Sequence, residues 1–137
     1  MISYAIARER YKDKRHIQQK ISPEEWEQFV DSKPDIFWLE DTDLGRNMPA
    51  TNARFRLKRS ARAEWDSRRG YYHIQLTHYD EGYVSITLNS VATLKRLQYL
   101  HDLATALNAF FLKDGTKIID QAFIEAYKNK RAKKNAP

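Results

Sequence analysis

Hydrophobic and polar residues alternate along the middle of the chain. Between residues 54 and 66 apolar side chains fall mainly on odd positions, and charged or polar side chains fall on even ones. Two further alternating runs cover residues 72–76 and 84–88. Because successive side chains of a strand point to opposite faces, this period predicts one buried face and one solvated face. We therefore predict three consecutive antiparallel strands between residues 54 and 88.

Helix signals stand on both sides of these strands. Ser22 can accept a backbone N–H bond, Pro23 fits the first helical position, and Glu25 completes a capping box. Apolar residues at steps of three and four between positions 91 and 107 predict a long helix, with Ser90 as its cap. A last helix is predicted over residues 121–134.

Four shorter strands complete the prediction. Residues 2–6 alternate, residues 36–40 are aromatic and β-branched, and Asp114-Gly115 separates two apolar runs in the manner of a hairpin. The order is β-α-β-β-β-β-α-β-β-α, which predicts an α+β fold. We expect a mostly antiparallel sheet of about five to six strands with helices packed on one face. Residues 1–127 form the predicted single domain, and residues 128–137 form a basic tail.

Charge and composition narrow the class of protein. The chain has 137 residues, no cysteine and a formal charge of +6, so disulfides and thiolate chemistry are excluded. Much of the positive charge lies near the C-terminus, at Lys128, Lys130, Arg131, Lys133 and Lys134. Such a tail can bind nucleic acid or anionic lipid, although a solvated helix end is the simpler interpretation.

The N-terminal apolar run is too short for a signal peptide, and no run reaches the roughly 20 apolar residues of a membrane span. A cytoplasmic protein without a membrane partner is the resulting prediction.

Motifs for catalysis and metal binding are missing from the sequence. We find no Gly-rich phosphate loop, nucleophile elbow or Ser/His/Asp arrangement, and we predict no enzyme and no cofactor. The four histidines are not paired at one-turn spacing, so no metal site is predicted. If their strand is regular, His73 faces solvent and His78 lies on the apolar side.

The outward face of the central strands is the best candidate binding surface. It combines basic and aromatic side chains, which suit a protein interface and also single-stranded nucleic acid. Ordinary solvation of an open sheet is the alternative, and residues 41–53 form an alternative surface. The predicted partner-binding residues are Arg54, Arg56, Lys58, Tyr71, His73 and Tyr83.

One family resembles this chain over roughly residues 1–119. The resemblance rests on Ile21-Ser-Pro-Glu-Glu-Trp26, on Trp65, and on Leu107-Asn-Ala109 followed by Asp114-Gly115. The family consists of small bacterial proteins encoded beside polymorphic toxins, including those of Rhs and type VI secretion systems, and regarded as their immunity proteins. Lys33 stands where an Asp is common in the family, and the tail after Asp120 is extra.

The resemblance implies a role in bacterial competition. Such a protein would bind a cognate antibacterial toxin domain and neutralise it by occlusion, which protects the producing cell. The Arg-rich sheet face favours an acidic patch on that partner. The alternative is a nucleic-acid-binding module that uses the same face and the Lys-rich tail.

Overall fold

The computed structural model describes residues 3–42 and 59–134, apart from the side chains of residues 40 and 131–134. These residues form seven β-strands and three α-helices. In chain order they are β1 Tyr4–Ala7, α1 Pro23–Asp31, β2 Ile36–Trp38, β3 Ser60–Asp66, β4 Tyr71–Tyr79, β5 Tyr83–Leu88, α2 Leu94–Ala106, β6 Phe110–Lys113, β7 Lys117–Ile118 and α3 Gln121–Lys134. Single 3-10 turns occupy Lys14–His16 and Leu39–Asp41.

All seven strands belong to one antiparallel sheet, in the order β2-β3-β4-β5-β1-β6-β7. The α+β class and the order of helices and strands are confirmed. The sheet is larger than the five to six strands predicted. The difference arises because the N-terminal strand β1 inserts between β5 and β6, which joins the central strands to the C-terminal hairpin.

The main core lies between one face of this sheet and the helices. Trp26 of α1, Leu100 of α2 and Ile124 of α3 pack in the same buried cluster as Ile6 and Phe111. Trp26 is 1% exposed, and its indole Nε1 donates a hydrogen bond to the carbonyl of Arg59 at 3.0 Å. The predicted packing of helices on one face is therefore confirmed.

The first helix begins as its sequence predicts. Ser22 Oγ accepts the backbone N–H of Glu25 at 3.1 Å, and the Glu25 carboxylate accepts the N–H of Ser22. Arg8 pairs with this same carboxylate, and together these contacts lower the pKa of Glu25 to about 2. The cap thus ties α1 to the chain segment that follows β1.

Two predicted boundaries were wrong. The long helix begins at Leu94 and is capped by Thr93, whose hydroxyl accepts the N–H of Arg96 at 3.2 Å. Ser90 is not the cap because it lies four residues before Leu94, and its hydroxyl contacts His73. Strand β2, predicted to reach Glu40, ends at Trp38, and the 3-10 turn follows from Leu39.

The second face of the sheet is partly covered, which corrects the expectation of a fully solvated face. Between β1 and α1 the chain crosses this face and buries Ile17 against Tyr83 and Leu112. Tyr11 packs on the edge of this second cluster. Alternation within a strand shows which residues lie on the face away from the main core. It does not show whether solvent or a loop covers that face.

No helix among the described residues has the length and apolar content to cross a bilayer.

Candidate functional site

Of the six predicted binding residues, the structure describes Tyr71, His73 and Tyr83, and it does not bring these three together on one surface. Arg54, Arg56 and Lys58 lie outside the described residues, as does most of the alternative surface at 41–53. Tyr71 begins β4, whereas Tyr83 pairs with Tyr79 at the other end of that strand. The eight-residue separation from Tyr71 to Tyr79 corresponds to about 26 Å along the strand.

Tyr83 is a buried residue of the second cluster. It is 7% exposed, and its ring centroid lies 5.3 Å from that of Tyr79 and 5.6 Å from that of Tyr11. The Lys14 ammonium lies 5.9 Å from the Tyr83 and Tyr79 ring centroids. Tyr83 therefore holds the covering segment on the sheet, and its placement on an open surface was wrong.

His73 is also buried, at 8% exposure, so the expectation that it faces solvent was wrong. Its Nε2 lies 2.8 Å from Asp66 Oδ2, and its Nδ1 contacts Ser90 Oγ. The Tyr71 ring packs edge-on against the imidazole at a centroid distance of 5.0 Å. His73 thereby bridges β3 and the link between β5 and α2.

His78 lies on the apolar side, as its position in the alternation predicts. It is buried, with Nε2 2.6 Å from the carbonyl of Ile21 and Nδ1 2.8 Å from Nη1 of Arg59. Because the carbonyl needs a donor and the guanidinium needs an acceptor, this imidazole is neutral with its hydrogen on Nε2. Burial lowers the pKa of His78, which agrees with that state.

At Glu64 the alternation of β3 and β4 reverses, so that side chains expected on the outer face turn towards the core side and those expected in the core turn outwards. We call this reversal the exchange of faces, and it explains why His73 is buried. Ala63 pairs with Ile74, and Trp65 pairs with Tyr72, but the intervening Glu64 has a φ of 59°. Ala63 is buried in the main core, whereas Trp65 is 54% exposed. Two residues that a regular strand would place on the same face therefore lie in opposite environments.

The exchange brings two exposed rings and one half-buried ring together. The Tyr72 ring centroid lies 4.8 Å from that of Trp65 and 6.3 Å from that of Phe37. Phe37, which is 45% exposed, is paired across the strands with Arg62, on the face away from the main core. We call Phe37, Trp65 and Tyr72 the aromatic patch. Strict alternation assigns Trp65 to the core face, so the sequence reasoning missed this patch.

Arg62 lies beside the patch in a well-defined position. Its Nη1 donates to Ser60 Oγ and to the carbonyl of Ala61, both at 2.9 Å. Burial lowers the pKa of Arg62 from its ordinary value. The guanidinium is thus fixed at the surface of the sheet next to Phe37, its cross-strand neighbour.

A polar cleft of about 610 Å³ opens next to Trp65. Its wall carries both signs of charge, from Glu64, Asp66, Arg68, Lys95 and Arg96. Arg96 of α2 binds the Glu64 carboxylate, with Nε and Nη2 at 2.9 and 2.7 Å from Oε2. This ion pair links the point of face exchange to α2.

Ser90, His73 and Asp66 form a hydrogen-bonded row that the sequence analysis did not find. The three residues lie on separate elements, so no short motif could reveal them. His73 and Asp66 line the cleft, but Ser90 is not among its lining residues. The hydrogen bonds of the row connect β3, β4 and the link between β5 and α2.

Asp66 is the central acceptor of this arrangement. Besides His73, it accepts the backbone N–H groups of Arg68 and Arg69 at 3.0 and 3.1 Å. The His73 hydrogen bond is the largest cause that lowers the pKa of Asp66, and these backbone bonds add to it. The carboxylate thus fixes the turn between β3 and β4 as well as the imidazole.

We expect Asp66→Asn to lower the free energy of unfolding at neutral pH, with a smaller loss in acid. Because the folded-state pKa of Asp66 lies below its ordinary value of 3.8, the carboxylate stabilises the fold above that value. This contribution disappears as the pH falls through the lowered pKa. Urea unfolding of both proteins at neutral pH and in acid measures the difference. A difference that does not change with pH would contradict this role.

No protein-family model, curated protein or solved structure matches the chain.

Proposed function

We propose that the chain is an immunity protein that binds a cognate antibacterial toxin domain and neutralises it by occlusion. The observation that carries this proposal is the aromatic patch. The patch joins the exposed rings of Phe37 and Trp65 with the half-buried ring of Tyr72, and contiguous exposed apolar surface of this kind favours an interaction site. Trp, Tyr and Arg are also the residues that contribute most binding energy in protein interfaces. The kind of partner follows from the sequence resemblance described above.

The patch is built on strands, which suits occlusion of another protein. Phe37 comes from β2, Trp65 from β3 and Tyr72 from β4, and backbone pairing fixes all three strands side by side. Side chains held by a sheet lose little conformational freedom when a partner binds, and this lowers the entropic cost of association.

Charge near the patch favours an acidic partner surface. Arg62 lies on the patch side of the sheet, and the turn that follows Trp65 carries the exposed Arg68 and Arg69. The nearest carboxylate of that turn, Asp66, is already engaged by His73 and by backbone N–H groups. The turn therefore offers net positive charge, which raises the association rate with an acidic surface.

Co-production tests the proposal directly. The gene for this chain is expressed together with the toxin domain encoded beside it, and growth and complex formation are measured. We expect the chain to restore growth and to co-purify with the toxin domain as a stoichiometric complex. Absence of both rescue and complex would overturn the proposal.

A parallel titration with a single-stranded oligonucleotide at low salt tests the nucleic-acid alternative. Affinity that falls steeply with salt would support that alternative, because displaced counterions make phosphate binding salt-dependent. Absence of binding at low salt would remove that alternative.

A further inference from the structure

The aromatic patch exists only because two strands exchange their faces. In a regular strand, Trp65 would lie on the same side as Ala63, towards the main core. Instead Glu64 adopts a φ of 59°, and the side chains beyond it turn to the other face. A residue with a side chain rarely adopts positive φ, so contacts outside β3 must hold this conformation.

Two contacts provide that restraint from different elements. Arg96 of α2 binds the Glu64 carboxylate through Nε and Nη2. On the neighbouring strand, His73 is held between Asp66 and Ser90. Glu64 on β3 and His73 on β4 both lie between the paired residues Ala63–Ile74 and Trp65–Tyr72. The two contacts therefore act at the same level of the two strands.

We infer that Glu64 and His73 are positioning residues for the aromatic patch, because together they hold the exchanged faces that place Trp65 and Tyr72 on the outer side of the sheet. The inference rests on the proposed function, because it takes the aromatic patch as the surface that binds the toxin domain. Neither residue needs to touch the partner. Their role is to select between two faces for Trp65, since the exchange at Glu64 leaves the pairing register of β3 and β4 unchanged and alters only the side to which the following side chains point.

Tryptophan quenching reports the face of Trp65 without any partner. The chain has three tryptophans, and the other two, Trp26 and Trp38, are buried in the main core. Acrylamide in solution should therefore quench mainly Trp65 in the wild-type protein. Loss of the exchanged faces would bring Trp65 towards α2, reduce the quenchable fraction and shift the emission to shorter wavelength.

The decisive comparison is Glu64→Val against Glu64→Gly. Both variants lose the ion pair with Arg96, but glycine accepts positive φ readily and a β-branched residue does not. We expect Glu64→Gly to keep the quenching of the wild-type protein. Glu64→Val should lose most of the quenchable fraction, with a parallel loss of affinity for the toxin domain.

Unchanged quenching in folded Glu64→Val would overturn the inference. If that variant does not fold, His73→Val carries the test, because it removes the bridge to Asp66 and Ser90 while valine suits a strand. The same reduction in quenching is expected, and an unchanged value would again overturn the inference. Reduced quenching with unchanged toxin affinity would support the positioning role and contradict use of the patch in binding.

Discussion

Trp65→Ala is expected to weaken binding of the toxin domain by about 30-fold or more, which corresponds to ~2 kcal/mol. Trp65 is the most exposed ring of the aromatic patch, at 54%, so a partner can bury much additional indole surface. Its removal should change the melting temperature little, because exposed side chains contribute little to folding stability. Calorimetric titration gives the affinity, and a thermal melt of the free protein gives the stability.

Phe110 provides a matched control for the patch. It is 44% exposed, close to the 45% of Phe37, but it lies on β6 at the other end of the sheet. Phe110→Ala should leave the affinity for the toxin domain unchanged. Phe37→Ala should weaken this affinity, as Trp65→Ala does. Equal losses in the Phe110 and Trp65 variants would show that the patch is not the binding surface.

The fold was predictable because its signals are local. The capping box at Ser22 and Glu25 starts α1, and Asp114-Gly115 forms the turn between β6 and β7 with positive φ at both residues. Hydrophobic periodicity then assigns each remaining element a buried side. These features depend on residues a few positions apart, so a single sequence contains them in full.

The aromatic patch was not predictable, because distant contacts create it. Glu64 and Arg96 are separated by 32 residues, and His73 and Ser90 by 17. Nothing next to Glu64 indicates positive φ, since no glycine or asparagine stands at that position. The alternation therefore predicted that Trp65 lies in the core and that His73 faces solvent. Both predictions are wrong because the faces exchange at Glu64.

The covered part of the second face was missed for a similar reason. Residues 8–20 are strongly charged, which favours a solvated loop, yet Tyr11 and Ile17 are sufficient to pack the segment on the sheet. Ala5 and Ala7 of β1 supply the small side chains beneath it. Close approach of this segment also constrains the turn between β4 and β5, where Gly82 lies.

Gly82→Ala is expected to destabilise the fold by about 2–5 kcal/mol. The φ of Gly82 is +102°, and a side chain in such a conformation costs about 1–2 kcal/mol. A Cβ atom would also lie 2.7 Å from the Cα of Lys20, and overpacking of this kind costs about 1–3 kcal/mol. Lys20 cannot easily retreat, because the next residue, Ile21, is buried and donates its N–H to the Gly82 carbonyl at 3.0 Å.

Gly70→Ala separates the two costs. Gly70 closes the turn between β3 and β4 with a φ of +75°, but no atom lies within 4 Å of the position that an alanine Cβ would occupy there. Its substitution should therefore cost only the conformational term, about 1–2 kcal/mol. Urea unfolding of both variants should show the larger loss of unfolding free energy for Gly82→Ala. Only the methyl group of that variant would contact the backbone of Lys20, whose neighbour Ile21 is hydrogen-bonded to the turn. Equal losses would mean that the segment before α1 moves away freely and does not constrain the β4–β5 turn.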